Sequence, residues 1–332
     1  MHLISRFLNK ALQIKSGWLF LFTAILVAIS SLAIFQLEPE TFGSRFNALW
    51  WVMTTLTTVG YGDFYPQTPS GKILAMVLYI FGIGLLGLVI GKIVEFFSGI
   101  KKRKEAGKLR YHGKRHFILI GWSDKVRQAI EELLASEQGE VVIIAQLAQT
   151  PFVHDRVHYV QGSPTNDDVL LQANLPQAQA VLLFSDGSET DADAADGKTL
   201  LTLISVERIN PDVRTVAEIL DERHVQNFTH AKVDEFILPH HTISRLAVRS
   251  AIHSGVNTLF QQLLRHNVGT DIVEVAAKEE WKTYRQAYEG FIHEGLILVS
   301  DREGHSILPK LDQPIKKNEK LLVIRHSEAQ TK

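Results

Sequence analysis

The sequence predicts a membrane-embedded α-helical module, then a cytoplasmic α/β domain with a parallel sheet, then a small α+β lobe. Three observations predict it. Two long apolar runs lie within the first hundred residues. A shorter apolar segment and a glycine-rich heptad, Thr57 to Asp63 (TTVGYGD), lie between them. From His116 onward, short buried-strand runs alternate with helical patterns, as in a parallel sheet covered on both faces.

Residues 18–37 (WLFLFTAILVAISSLAIFQL) carry no charge, and about twenty apolar residues suffice to span a bilayer. Residues 73–97 form the second run, with only Lys92 and Glu95 near its end. At ~1.5 Å per residue this run crosses with tilt and projects beyond the bilayer. Residues 46–57 (FNALWWVMTTLT) are apolar but too short to cross. They fit a half-helix that re-enters from outside, its C-terminal end favouring a cation through the helix dipole. Trp50 and Trp51 on this segment are either interfacial anchors or a stiff cuff against the heptad; their closeness to Thr58 favours the cuff.

Arg6, Lys10 and Lys15 precede the first span, and a basic run from Lys101 to Arg115 follows the second. Both termini are therefore expected in the cytoplasm, with the heptad facing outside. The first span is expected to be retained rather than cleaved as a signal, and no arginine ladder forms a voltage sensor. The basic run reads as an anchor to anionic lipid of the bilayer, not as a nucleic-acid site. The chain has 332 residues, a formal net charge of -1 and 0 Cys. This excludes disulfides and thiolate sites and leaves a domain-sized soluble part.

In the heptad, the peptide units of Val59, Gly60 and Tyr61 can turn their carbonyls to one side only if glycine relaxes the backbone limits. Such a column, with the Thr58 hydroxyl, can replace the water around a potassium ion. One strand cannot surround an ion, so four copies around an axis are implied, a homotetramer. Thr58, Val59, Gly60, Tyr61 and Gly62, followed by Asp63, resemble the selectivity filter of potassium channels.

In the soluble part, strands are expected at 117–120, 140–145, 158–160, 180–184, 213–218 and 235–238. Helices are expected at 126–134, 167–173, 199–209 and 225–230. Gly121 then occupies the first strand-to-helix turn, where Rossmann folds seat phosphates on a helix N-terminus. The glycine fingerprint is degenerate: Ser123 and Val126 stand where further glycines would be, and Gln146 replaces the usual ribose-binding acid. A nucleotide (NAD, ADP or ATP) is one reading, with Gly121, Trp122, Ser123, Asp124, Gln146 and Gly162 as candidate contacts; a Rossmann-like scaffold with an empty cleft is the other.

Two spans, the filter, the turn Gly121-Trp122-Ser123 and the stretch Ser188-Glu189-Thr190-Asp191 together resemble prokaryotic potassium channels gated by calcium or nucleotides. Their cytoplasmic domain is the regulator of potassium conductance, RCK. The resemblance implies a pore domain over 1–100, a linker over 101–115 and a Rossmann-like RCK lobe over 116–242. It further implies a helical crossover over 243–266 that pairs RCK domains, and a C-terminal lobe over 267–332. In that lobe, strands at 270–277, 295–300 and 320–324 accompany a helix at 284–293. RCK domains in this family build a gating ring, often of eight. Met occurs only at 1, 53 and 76, so a free copy of the domain cannot start within the linker, and self-association beyond the tetramer is expected from the crossover.

Gly82, midway along the second span, aligns with the family's gating hinge; close packing of small residues is the alternative. Glu95 is expected to form an acidic ring at the inner mouth, or else to pair with Lys92 or Lys101. Calcium-gated relatives use carboxylates after the fourth and fifth strands, which makes Asp186, Glu189 and Glu218 candidate calcium ligands. Leu220 and Gly187 stand where two of the family's acids would be. The alternative is a capping box of Ser188 with Asp191. The chain is thus expected to be a ligand-gated potassium channel and not an enzyme. The competing reading, a membrane-tethered nicotinamide oxidoreductase, lacks a full glycine fingerprint and leaves TTVGYGD unexplained.

Overall fold

The computed structural model describes residues 16–136, 139–185, 191–264 and 269–327. The chain divides into two compact units at Lys102/Arg103.

The first unit is helical. Helix α1 (Ser16–Leu37) leads into a short helix α2 (Pro39–Phe42), then α3 (Arg45–Leu56) and α4 (Pro69–Glu105), which continues past the boundary. Ser44 caps α3 by accepting the Asn47 N–H at 3.1 Å, so the re-entrant helix starts where the polar turn permits. Helix α4 begins before the apolar run because Thr68 caps it, accepting the Gly71 N–H at 3.1 Å, and Pro69 is preset for a first turn. Its 37 residues reach about 55 Å, well beyond a hydrocarbon core of ~30 Å. Ile34, Phe42, Trp51, Val52, Leu56 and Leu78 form the core that holds α3 between the two long helices. Exposed apolar side chains such as Phe22, Ile80 and Phe81 coat the outside, as a lipid-facing or subunit-facing surface requires.

The second unit opens with β1 (Phe117–Ile120), α5 (Asp124–Ala135), β2 (Val141–Ala145), β3 (Val157–Gln161) and α6 (Asp167–Gln172). It continues with β4 (Ala180–Leu183), α7 (Ala192–Ile209), β5 (Arg214–Glu218), α8 (Val225–Phe228) and β6 (Glu235–Ile237). All six strands are parallel, in the order β3-β2-β1-β4-β5-β6. The order reverses between β1 and β4, and a crevice opens at such a switch point. Two apolar cores, around Ile118 and Leu203 and around Leu119 and Ile130, cover the two faces. Helix α7 starts at Ala192 rather than Thr199, because Asp191 caps it, accepting the Asp193 N–H at 3.3 Å. Asp191 is thus the cap itself and not the acid of a capping box; Ser188 lies outside the described residues.

The crossover is two helices, α9 (Pro239–Ile252) and α10 (Val256–Leu264), broken at Gly255 with φ +89°. Neither buries a side chain, and Ile243, Val248, Ile252, Leu259 and Phe260 are exposed. The last lobe packs α11 (Tyr284–His293) on an antiparallel sheet of order β7-β9-β8, from β7 (Gly269–Ala276), β8 (Leu296–Asp301) and β9 (Lys320–Ser327).

The segment that joins α4 to β1 is fastened down along its length. Helix α4 ends at Gly107, φ +65°, with Lys108 N–H donating to Arg103 O and Gly107 N–H to Lys104 O, both at 3.0 Å. That is a Schellman end. Gly107 O then accepts the Gln161 N–H at 3.0 Å and Gln172 Nε2 at 2.9 Å. His158 Nε2 donates to Leu109 O at 2.9 Å, and Tyr111 N–H to Gln172 O at 2.9 Å. The Tyr111 hydroxyl donates to Glu140 at 2.5 Å, and Asn174 Nδ2 to Gly113 O at 2.8 Å.

Candidate ion filter and cytoplasmic ligand cleft

Helix α3 ends at Thr57, and the chain then runs through the heptad. Thr58, Gly60 and Gly62 have φ of +59°, +55° and +76°, while Val59 and Tyr61 between them do not have positive φ. Alternation between left- and right-handed backbone points successive carbonyls to one side. A threonine at positive φ is a costly conformation for a β-branched residue, and such strain collects at functional sites. A Cβ at Gly60 would meet nothing within 4 Å, so glycine is demanded there by backbone angle and not by space. The start of the loop is tied to α3, with the Val59 and Gly60 N–H groups both donating to Thr54 O at 2.9 and 3.1 Å.

Trp50 holds the far end. Its Nε1 donates to Asp63 Oδ2 at 2.9 Å, and its ring stacks on Tyr61 with centroids 5.7 Å apart and planes 3° from parallel. Trp51 is buried against Phe42, centroids 5.6 Å apart. Trp50 therefore braces the loop, while Trp51 packs in the core of the helical unit. Behind it, Glu38 is buried in a socket that sequence reading misses. Its Oε1 accepts the Thr68 N–H at 2.9 Å and the Thr68 hydroxyl at 2.6 Å, and its Oε2 accepts the Gln67 N–H at 2.9 Å. Burial pushes this carboxyl up, but the Gln67 and Thr68 donors outweigh it and hold the group below its ordinary value. A Cβ at Gly71 would fall 2.0 Å from Glu38 Oε1, so a glycine is needed beside the carboxylate.

Gly82 lies where α4 meets the end of α3, and a Cβ there would be 2.3 Å from Leu56 Cδ2. The helix runs unbroken through it, so the structure shows close packing at this glycine. Glu95 is exposed and accepts from Lys92 Nζ at 2.7 Å, one turn back.

In the second unit a cleft opens at the C-terminal ends of β1, β2 and β4. Gly121 and Gln146 line it together with Pro164, Ser185, Lys198 and Thr199. Gly121 makes its turn at φ +95°. Gly162 ends β3 at φ +154° and packs on Val169, 2.4 Å from where its Cβ would be. Trp122 turns aside under the Arg127 guanidinium, 5.7 Å from its ring centre. Ser123 caps α5 without a side-chain bond, and its buried Oγ has no protein partner. Neither Trp122, Ser123, Asp124 nor Gly162 lines the cleft. Lys198 and Thr199 on α7 do, and sequence reading misses Lys198 because that helix starts earlier than its pattern suggests.

Among the candidate calcium ligands, Asp186 and Glu189 lie outside the described residues. Glu218 is buried, and it is not an open carboxylate, contrary to expectation. Its Oε1 accepts Lys125 Nζ at 2.6 Å; its Oε2 accepts the Ser185 N–H at 2.9 Å and hydroxyl at 2.7 Å. A divalent ion at Glu218 has to displace an ammonium. The residues fit calcium poorly at this point, and Lys125 Nζ also donates to Ser185 Oγ at 3.0 Å. Asp193, Asp221 and His224 instead bring three ligand atoms within 4.8 Å of one another. The hydrogen bond to Asp196 raises the His224 pKa against burial, which lowers it.

Residues 20–99 match the family model described as Ion channel, and residues 117–239 match the TrkA-N domain. YugO of Bacillus subtilis is 29% identical over 307 residues, covering 90% of this chain and 92% of that protein. The calcium-gated potassium channel TvoK of Thermoplasma volcanium is 31% identical over 234 residues, covering 70% of this chain and 67% of that protein. Among solved structures, the human SLO3 gating ring aligns with a TM-score of 0.50 at 15% identity, over 63% of this chain and 44% of that one. This chain therefore spans less than half of that structure's length, and the likeness establishes the fold alone. Two membrane-span-capable helices with a braced candidate filter between them, followed by a Rossmann-like domain, define the subunit of an oligomeric potassium channel. The chain belongs to the potassium channels that join a two-span pore to a TrkA-N, or RCK, domain.

Proposed function

We propose that four copies of this chain form a potassium-selective pore in a prokaryotic inner membrane, with both termini in the cytoplasm, opened or closed by a ring of its RCK domains. The alternating positive φ at Thr58, Gly60 and Gly62 carries the selectivity half of this reading. For gating, Gly82 is the hinge and Glu95 the inner-mouth ring. Both need their present neighbours, Leu56 and Lys92, to give way when the pore opens.

The cleft at the β1–β4 switch is the place for a nucleotide such as NAD, ADP or ATP. Gly121 allows close approach at the first turn, Gln146 faces a ribose, and α7 contributes the polar Lys198 and Thr199. Calcium enters through the name of the relative TvoK, and here it competes with Lys125 at Glu218. The exposed apolar face of α9 and α10 is the surface through which RCK domains pair, in a ring of four or eight.

Flux from liposomes holding the purified full chain tests both halves. Potassium flux with sodium excluded, changed by one of NAD, ADP, ATP or calcium, is the expected result. Equal potassium and sodium flux would sink the filter assignment; selective flux indifferent to all four would sink the ligand assignment.

A further inference from the structure

We propose that Asp193, Asp221 and His224 form a binding site for a transition-metal dication of the zinc class. It goes beyond the reading above, because it concerns binding by this chain and holds whether or not the metal gates the pore. Asp193 lies in the first turn of α7, after β4; Asp221 and His224 lie at the short turn Glu222–His224 after β5. Adjacent parallel strands bring these two turns to one edge of the sheet.

The argument rests on the imidazole. His224 Nδ1 lies 2.8 Å from Asp196 Oδ2. Asp196 is 2% exposed, and its two oxygens also accept the N–H groups of Leu220 at 2.9 Å and Asp221 at 3.0 Å. A carboxylate fixed by backbone donors accepts only, so the Nδ1 proton points to it and the Nε2 lone pair points away. That lone pair faces Asp193 Oδ1 at 3.3 Å. Nε2 and the carboxylates of Asp193 and Asp221 thus bring three ligand atoms within 4.8 Å of one another, with exposed Arg223 as the side chain that a metal has to displace from Asp221. A buried carboxylate behind a histidine is also how metal-ligating imidazoles are oriented.

The donor set selects the class of metal. One imidazole nitrogen with two carboxylate oxygens suits zinc and its neighbours, whereas calcium and magnesium prefer all-oxygen sets. The site opens to solvent through a pocket of about 290 Å³, leaving room for water ligands. Arg223 competes: its Nε donates to Asp221 Oδ1 at 3.1 Å and Oδ2 at 3.0 Å. Its side chain is 82% exposed, so it can swing away. Asp193 is on the same helix as the cleft residues Ala195, Lys198 and Thr199, so a bound metal would stiffen one wall of the ligand cleft.

The test is calorimetry of the full chain in detergent, stripped by chelator, with zinc chloride, and a Co2+ absorption spectrum as a second readout. One zinc per chain is expected, with calcium chloride binding more weakly at this site. His224→Ala should remove that binding, and Asp193→Asn, an exposed and fold-neutral change, should weaken it about tenfold or more. Arg223→Gln should tighten it by releasing Asp221. Thermal midpoints of the metal-free variants equal to that of the parent chain show that folding is intact. No stoichiometric zinc binding by the parent chain overturns the proposal. So do isotherms unchanged in both His224→Ala and Asp193→Asn, which would place the zinc on other histidines.

Discussion

Replacing Glu38 by Gln isolates the socket behind the filter. The carboxylate accepts three hydrogen bonds from Gln67 and Thr68 while 4% exposed. Glutamine keeps one oxygen and turns an amide nitrogen toward a backbone N–H. One charge-assisted bond is lost, about 1.5–3 kcal/mol, and a donor is left facing a donor in a buried site. The other bonds lose their charge assistance. A net cost of about 3 kcal/mol per chain follows, enough to lower a melting midpoint by about 5 °C. Because Gln67 and Thr68 lie just beyond the filter, the loop that seats Asp63 loosens too. Tryptophan fluorescence during heating, with potassium-to-sodium flux ratios on the same preparation, measures both effects. A midpoint and a flux ratio equal to those of the parent chain would show that Glu38 is a spectator and the reasoning wrong.

Three further outcomes are expected. Gly60→Ala should abolish selective flux while leaving the tetramer intact on a gel, since only the φ of +55° is offended; retained selectivity contradicts the carbonyl column. Gly107→Ala puts a Cβ 2.5 Å from the Gln161 nitrogen and a non-glycine residue at φ +65°, the latter alone costing about 1–2 kcal/mol. It should melt the cytoplasmic unit earlier and uncouple ligand from flux; an unchanged ligand response would refute the coupling role. Burial lowers the pKa of both His116 and His158, which pack beside Tyr111. Groups with depressed folded pKa bind fewer protons when folded, so their stability is full above about pH 6.5 and lost as pH falls through the folded values. The midpoint of the second unit should therefore drop on acidification below about pH 6.5, and less so in His116→Asn/His158→Asn. Equal slopes in the two proteins would exclude these histidines.

What could be read in advance divides by distance along the chain. The candidate filter is written in seven consecutive residues whose backbone demands are local, and β1 has the bounds that its apolar run suggests. The Glu38 socket depends on partners 29 and 30 positions away, and the Lys125–Glu218 pair on a separation of 93. No pattern announces such a meeting. Acidic residues after two strands therefore look alike in sequence. Only the fold shows that Glu218 is engaged by an ammonium while His224, an unremarked residue in a turn, is oriented by Asp196. Helix α7 reads late because the stretch 192–197 (ADAADG) carries no large apolar residue to show a helical period, and with that the lysine on the cleft wall is lost from view.

The fastened segment between α4 and β1 has a mechanical consequence. Loose, the eleven residues 106–116 could stretch to about 36 Å and would behave as a slack spring, dissipating a pull as chain entropy. Here the peptide groups of Gly107, Leu109, Tyr111 and Gly113 are each bonded to β3 or to the chain around α6. The joint has no play. A displacement of β3 is therefore shared by the segment 107–113 that is bonded to it, instead of being absorbed as slack.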